Sequence, residues 1–306
     1  MDKLDAFQRR YRVTAFVFGV LKKFGDDHGS YLAALITYYA FISIFPLLLA
    51  AFTIVAYVLS GDKAAITTLE RHVGSYPIIG PAANQLAGQS LKGSPAALVV
   101  GVLGLVWGAM GLAQAAQHSM NQAWNVAGRD RRHFGLRLLR GIAWYGVFGV
   151  GIAASTFVTS LGSIFDWSGG PVLSGLLALL INVGLFALSF RILSPATASM
   201  RDLLPGAAFG GAVWTILTGV GVGLAHELAH SNALYGSFTP ILALLAFLYL
   251  SARLTLYGIE ANVVKAQHLW PRSLTNKDLG PPDRIQLAGL AKREERVERQ
   301  TVVVEF

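Results

Sequence analysis

The last hydrophobic stretch of the chain, residues 235–264, is long enough to cross a bilayer as one helix but carries polar residues inside it. About 20 apolar residues suffice for a transmembrane helix, and Arg253, Glu260 and Asn262 interrupt this stretch. A charge at the membrane centre costs at least roughly 2.5–3.5 kcal/mol, so these side chains are expected to face protein, water or a bound group. Arg253 and Glu260 are seven residues apart, so one helix face carries both, about 10 Å apart along the axis.

Two interpretations of this pair stay open. In the first, Glu260 lies at the membrane interface and Arg253 reaches the surface or pairs with a neighbouring helix. In the second, Arg253, Glu260 and Asn262 belong to one binding site for a solute. A guanidinium suits an anionic group there because it stays charged and donates hydrogen bonds in a planar fork.

The composition of the chain is that of a membrane protein. Of its 306 residues, 54% are hydrophobic and 14% are charged, whereas soluble domains carry about 25% charged residues. The chain has no cysteine, which excludes disulfides, thiolate metal sites and cysteine nucleophiles. The sequence therefore predicts an all-α integral membrane protein.

The hydrophobic stretches predict six transmembrane helices, at residues 31–59, 96–116, 138–161, 172–193, 205–225 and 238–264. Residues 1–30 are basic and amphipathic, with Phe7, Tyr11, Phe18 and Leu21 at helical spacing. This segment is predicted either to lie on the cytoplasmic membrane surface as a helix or to be a charged flank that orients the first span. Residues 60–94 are predicted to hold amphipathic helices over the outer mouth, and residues 265–306 to form a cytoplasmic tail.

The first and second spans carry polar or special residues of their own. Pro46 removes a backbone hydrogen bond and predicts a kinked first helix, with Tyr38 and Tyr39 before it. Gln114 and Gln117 lie at the inner end of the second span. The hypothesis is that these tyrosines and glutamines line one cavity with Arg253, Glu260 and Asn262; the alternative is ordinary helix packing and the exit of a helix from the bilayer.

Four glycines of the second span form one stripe along the helix. They are Gly101, Gly104, Gly108 and Gly111, at steps of three, four and three residues. Small residues in such a stripe let two helices approach closely in lipid, so the stripe predicts a tight contact with another helix.

Lysine and arginine counts next to the spans predict that both termini are cytoplasmic. Six such residues precede the first span, four lie between the second and third with Arg140 just inside the third, and eight follow the sixth, against three between the first and second. The positive-inside rule places the basic connections in the cytoplasm. The net charge of +8 is then an orientation signal, and no nucleic-acid partner is expected.

One short motif resembles a zinc site. His226-Glu-Leu-Ala-His230 matches H-E-x-x-H, in which two histidines on one helix face bind zinc and Glu227 would act as general base. A catalytic zinc needs a third protein ligand, and the extended pattern asks for histidine at Gly236. We expect a polar helix end that binds no metal, and a membrane zinc protease is the less favoured alternative.

Three stretches together resemble the YihY/BrkB family of bacterial membrane proteins, formerly mislabelled ribonuclease BN. They are Ala33-Ala-Leu-Ile-Thr-Tyr-Tyr-Ala-Phe-Ile-Ser-Ile-Phe-Pro46, Arg201-Asp-Leu-Leu-Pro-Gly206, and Tyr235-Gly-Ser237 with Gly258-Ile-Glu-Ala-Asn262. The resemblance covers residues 26–264 and implies six transmembrane helices in an inner membrane. It implies less about activity, for which envelope transport is the usual suspicion, and the histidine pair is not part of the family pattern.

The sequence favours a transporter or exporter of an amphipathic or lipid-like, anionic solute, and not an enzyme. It contains no G-x-x-x-x-G-K-[ST] nucleotide motif, so transport would be gradient-driven, passive or coupled to a partner. The alternatives are a non-transporting envelope scaffold and the zinc protease. Expected partners are membrane lipids, a small amphipathic solute and further copies of the chain in a homo-oligomer; no cofactor is expected.

We predict that His226 and His230 hold no catalytic zinc, because the motif lacks a third ligand. Protein purified without added metal should contain far less than one zinc per chain by elemental analysis. Glu227→Gln should leave function intact. Stoichiometric zinc that disappears when both histidines are replaced would overturn this prediction and favour the protease.

Overall fold

The structure, a computed structural model, describes residues 8, 10–58, 95–164, 170–195, 198–230, 239–273 and 279–306. In these ranges it has eight α-helices, one 3₁₀ helix at Gly128–Asp130, and no strand. The helices are α1 (Arg12–Asp26), α2 (Gly29–Val58), α3 (Pro95–Ala123), α4 (Phe134–Ile164), α5 (Gly170–Leu193), α6 (Met200–His230), α7 (Thr239–Ala266) and α8 (Pro281–Lys292). The all-α fold class is thereby confirmed for the described residues.

Among the described residues, three helices are long and apolar enough to span a membrane, at Val99–Ala123, Val172–Leu193 and Ile241–Ala266. In the most apolar stretch of each helix, only 22%, 17% and 17% is buried inside the protein, respectively. Apolar helices that expose most of their surface fit a lipid environment, since soluble proteins rarely expose large apolar patches. These helices match the predicted second, fourth and sixth spans.

The other predicted spans coincide with helices, but the count of six spans stays a prediction. Residues 31–58, 138–161 and 205–225 lie in α2, α4 and α6. The helix α2 continues through Pro46, and the predicted kink is untested. The predicted outer-loop helices fall in 59–94, outside the described residues.

Local sequence signals explain where α6 and α8 begin. Ser199 and Asp202 form a reciprocal cap: the Ser199 hydroxyl and N–H donate to the Asp202 carboxylate at 2.6 and 3.1 Å, and the Asp202 N–H donates back to the hydroxyl at 3.3 Å. Such pairs satisfy backbone donors that a helix start leaves open. The helix α8 begins at Pro281, where a missing N–H costs nothing, with Asp283 accepting from the Gly280 N–H at 3.2 Å.

The chain divides into two compact units, which are treated separately. Unit 1 comprises Met1–Ala33, Ala116–Thr215 and Arg253–Phe306, and unit 2 comprises Ala34–Ala115 and Ile216–Ala252. The N-terminal helix α1 and the tail helix α8 therefore belong to the same unit as α4 and α5. Within unit 1, α4 and α5 pack side by side.

In unit 2, the glycine stripe of α3 packs against α2, as predicted. A Cβ on Gly104 would lie 3.1 Å from the Pro46 ring, and one on Gly108 would lie 2.7 Å from the Ser43 hydroxyl and 3.1 Å from its Cα. A Cβ on Gly111 would lie 2.2 Å from the ring of Tyr39. The absence of side chains at these three positions lets the two helices approach closely.

Gly108→Ala is expected to lower thermal stability, because the new methyl group meets the backbone of Ser43. Replacing glycine by alanine inside a helix otherwise stabilises it by roughly 0.5–1 kcal/mol. Gly149→Ala in α4 is the control, since nothing lies within 4 Å of its Cβ position. The two variants should shift the melting temperature in detergent in opposite directions; a stabilised Gly108→Ala protein would contradict the packing.

Candidate functional site

The helix α1 docks on the C-terminal half of α7 in unit 1. The Phe24 ring lies 4.2 Å from that of Tyr257 between centroids, and Phe16 packs edge-on at 5.3 Å against Trp270. Between these contacts, a Cβ on Gly19 would lie 3.1 Å from a carbonyl oxygen beyond the end of α7. Phe24, late in α1, contacts Tyr257, whereas the earlier Phe16 contacts the later Trp270. The two segments therefore run antiparallel.

A buried line of alternating charges lies at this junction. Lys23 Nζ is 3.2 Å from Glu260 Oε2 and also pairs with Asp27 Oδ2. Arg293 donates to the other oxygen of Asp27 at 2.8 Å. The side chains of Lys23, Asp27 and Glu260 are at most 1% exposed, and the Ala123 carbonyl accepts a further bond from Lys23 at 2.7 Å. Every charge in the line therefore has an opposite neighbour.

A second group of charges joins α1 to the segment before α8. Arg272 donates to Asp283 at 2.6 Å and to Asp26 at 2.9 Å, and Lys22 lies 3.2 Å from Asp283. Burial alone would raise the pKa of Asp283, but hydrogen bonds from Arg272, the Ser273 N–H and Lys22 outweigh it and lower that pKa. The carboxylate form is therefore favoured over the neutral form.

We call these eight side chains the helix-docking network. They are Lys22, Lys23, Asp26, Asp27, Glu260, Arg272, Asp283 and Arg293. With four bases and four acids, the network is electrically balanced. It connects α1, the end of α7 and the tail within unit 1.

Arg253 contacts α1, as Glu260 does, but it does so through an aromatic ring and not through an ion pair. Its guanidinium carbon lies 5.7 Å from the centroid of Phe24 and 5.8 Å from that of Tyr257, and it donates to the Tyr257 hydroxyl at 3.3 Å. Cation–π contacts stabilise a cation in a partly desolvated place. The two charges that stood out in the sequence therefore contact neighbouring residues of α1, Phe24 and Lys23.

Asn262 holds α6 against α7. Its Oδ1 accepts from the Gly206 N–H at 2.6 Å, directly after Pro205. A Cβ on Gly206 would lie 2.0 Å from the Gly258 carbonyl oxygen, so the backbones meet closely there. Asn262 is 1% exposed, and its side-chain oxygen is bound to the Gly206 N–H of the protein itself.

The remaining predicted site residues fall in both units. Gln117 is buried in unit 1 and donates to the Arg137 carbonyl at 2.9 Å. Tyr38, Tyr39 and Gln114 belong to unit 2, where the rings of Tyr38 and Tyr39 meet edge-on at 5.2 Å. That all these residues line one cavity stays a prediction.

A polar cleft opens beside the end of α3, in unit 1. Its volume is about 490 Å³, and Gln117, Asn121 and Trp124 lie along one side. Its charged residues are four bases, Arg129, Arg132, Arg137 and Lys292, and two acids, Asp130 and Glu295. Arg129 pairs with both acids, at 3.8 and 3.1 Å. The other three bases make no ion pair within the part of the chain that the structure describes.

The histidine motif lies in the last turns of α6, so its backbone is helical as predicted. The side chains of His226, Glu227 and His230 lie outside the described residues. Among the described side chains, no group of three or more histidine or acidic residues is arranged to hold a metal ion.

Sequence reasoning missed Lys23, Asp27, Arg272, Asp283 and Arg293 as members of a site. The i,i+4 spacing of Lys23 and Asp27 is a local signal for an ion pair. Contacts such as Lys22 with Asp283 join residues 261 positions apart, and no spacing rule reaches that far. The basic N-terminal segment is predicted to lie on the membrane surface or to flank the first span, and neither prediction gives Lys22 or Lys23 a role in packing.

Long apolar helices with exposed surfaces and basic, polar ends define a helical membrane protein. The chain belongs to the family described as virulence factor BrkB, which matches residues 20–279. The resemblance to the YihY/BrkB family is thereby confirmed.

Relatives from three bacteria share moderate sequence identity with this chain. The ribonuclease-like protein YfkH of Bacillus subtilis is 24% identical over 272 residues, which are 82% of this chain and 94% of YfkH. A UPF0761 membrane protein of Azotobacter vinelandii is 29% identical over 58% of this chain and 44% of its own length. A UPF0761 membrane protein of Alcanivorax borkumensis is 23% identical over 84% of this chain and 62% of its own length. The chain thus spans less than two thirds of either UPF0761 protein, and no solved structure matches it.

Lys23→Met should destabilise the protein by about 3–5 kcal/mol, because it leaves the buried Glu260 carboxylate without its partner. Asp27 keeps Arg293. The double variant Lys23→Met/Glu260→Gln removes the orphaned charge and should recover part of the loss. Melting temperatures in detergent measure both effects.

Lys265→Met is the matched control, since Lys265 is exposed at the end of α7. It should melt close to the unaltered protein. A Lys23→Met protein as stable as this control, or a double variant no more stable than Lys23→Met, would contradict the assigned role of the buried pair.

Proposed function

We propose that the chain is an inner-membrane transporter or exporter of an anionic, amphipathic or lipid-like solute, with both termini in the cytoplasm. The observation that carries the proposal is the polar cleft beside α3. It combines an excess of basic side chains with amides and an indole ring at the end of a membrane-spanning helix. Family membership supports a membrane protein, and the transport activity is the proposal.

The charges of the cleft favour an anionic solute. Arg132, Arg137 and Lys292 have no carboxylate partner among the described residues, so their positive potential is not cancelled locally. Clefts lined by one sign of charge concentrate ligands of the opposite sign. Guanidinium groups in particular match the geometry of carboxylate and phosphate.

The apolar part of the solute follows from where the cleft lies. One wall is the end of α3, a helix that is long and apolar enough to span a membrane. A solute with a charged head and an apolar body suits a charged cleft at such a helix end. Trp124 adds an amphipathic ring of the kind that settles at membrane interfaces.

Glu260 and Asn262 take a structural part in this proposal. Both are buried, and each is bonded to protein through Lys23 or Gly206. Arg253 remains the candidate for a second anion contact, since the residue is half-buried rather than fully enclosed. An envelope scaffold is the second candidate, favoured by the extent of the helix-docking network, and neither function requires enzyme activity.

The test uses purified protein in vesicles that carry a fluorescent phosphatidylglycerol in both leaflets. If the chain transports anionic amphiphiles, it should accelerate movement of the probe between leaflets, measured by quenching from outside. Arg137→Gln should slow this about ten-fold, the scale of one charge-assisted hydrogen bond. Arg296→Gln removes an equal charge from a site that is 80% exposed and should have no effect.

Correct insertion and folding of each variant are verified by protease protection and melting temperature. Inserted, folded protein that leaves the probe in place would refute transport of this class of solute and favour the scaffold. Equal rates for Arg137→Gln and Arg296→Gln would remove the cleft from the mechanism.

A further inference from the structure

An apolar groove runs between α4 and α5 in unit 1, apart from the polar cleft. Its volume is about 510 Å³, and its walls include Ala143 and Ala154 on α4 and Ile181 and Leu188 on α5. Gly146 and Gly184 leave room in it, since their Cβ positions have no neighbour within 4 Å, whereas Leu185 packs against the third glycine, Gly151. The α4 wall is about 16 Å long at 1.5 Å per residue, roughly half the hydrocarbon thickness of a bilayer.

Each wall of the groove ends on an arginine. Arg140 precedes Ala143 by three residues on α4, and Arg191 follows Leu188 by three residues on α5. Residues three apart lie on the same face of a helix, one turn or about 4.5 Å apart along the axis. The two arginines therefore lie at the same end of the groove, in line with its walls.

These arginines stand in a cluster without acidic partners. Arg132 and Arg140 both donate to the Ser194 carbonyl, at 3.4 and 3.0 Å, and Arg191 donates to the Ala198 carbonyl at 2.6 Å. None of the three forms an ion pair with a described residue. Burial, and then the positive charge of Arg191, lower the pKa of Arg132. Each guanidinium has five N–H donors, so donors remain for a ligand.

We propose that this groove binds one anionic phospholipid, with its phosphate at Arg140 and Arg191 and an acyl chain between α4 and α5. Three cations beside an open apolar groove of about one leaflet's depth match the two ends of such a lipid. Free phosphate would satisfy the arginines but leave the groove unfilled, and a neutral lipid would leave three like charges uncompensated. The inference concerns binding alone and holds equally for a transporter and for a scaffold.

The test is native mass spectrometry of the full chain with equal amounts of phosphatidylglycerol and phosphatidylcholine of the same acyl chains. The unaltered protein should retain one phosphatidylglycerol in preference. Arg140→Gln/Arg191→Gln should weaken that binding about ten-fold or more. The double control Arg284→Gln/Arg296→Gln, which removes the same charge from exposed sites, should not. Soluble glycerol phosphate should fail to compete.

A second variant tests the groove without touching a charge. Gly146→Leu projects a side chain into the open groove and should displace the lipid, whereas Gly149→Leu has equal space outside it and should not. Equal retention of both lipids, competition by glycerol phosphate, or full binding to folded Gly146→Leu protein would each overturn the inference. Lipid binding without movement of the fluorescent probe would refute transport and leave the inference standing.

Discussion

The buried contact between Lys23 and Glu260 is the interaction on which the rest of unit 1 depends. Both side chains are almost completely excluded from solvent, and an ion without a partner at such a place costs several kcal/mol. Lys23 also pairs with Asp27, which in turn binds Arg293. The Glu260 carboxylate on α7 and the Arg293 guanidinium of the tail therefore find their charged partners only when α1 is in place. This makes the folding of three distant segments of sequence interdependent.

Two different means bring helices together in this protein. In unit 2, α2 and α3 meet where glycines leave room for Tyr39, Ser43 and Pro46, which is the packing expected where lipid provides no hydrophobic drive. At the docked α1 helix of unit 1, charged pairs and hydrogen bonds carry the contacts. Aromatic rings accompany them, as in the pair of Phe24 and Tyr257. Periodic small residues explain the first kind of packing, and only paired charges explain the second.

This difference also decides what could be predicted from the sequence. The three apolar spans and the glycine stripe are local or periodic features, and the structure confirms them. Arg253 and Glu260 could be selected because a charge in an apolar stretch needs a partner. Their partners could not be named, since Lys23 and Phe24 lie more than 220 residues away along the chain. In the same way, the groove between α4 and α5 forms only where the two helices pack side by side, and the sequence of neither helix alone predicts it.

The pairing of arginines separates structural sites from candidate binding sites within unit 1. Arg272 and Arg293 each form an ion pair with a carboxylate and are largely buried, so their charge is neutralised within the fold. Arg132, Arg140 and Arg191 instead meet backbone carbonyls, which offer partial charges and leave the net positive charge in place. Clustered like charges destabilise a fold unless an anion compensates them. Arg140 and Arg191 lie one helical turn beyond the walls of the apolar groove, and Arg132 lines the polar cleft. An anion with an apolar body, as proposed for both places, would compensate this charge.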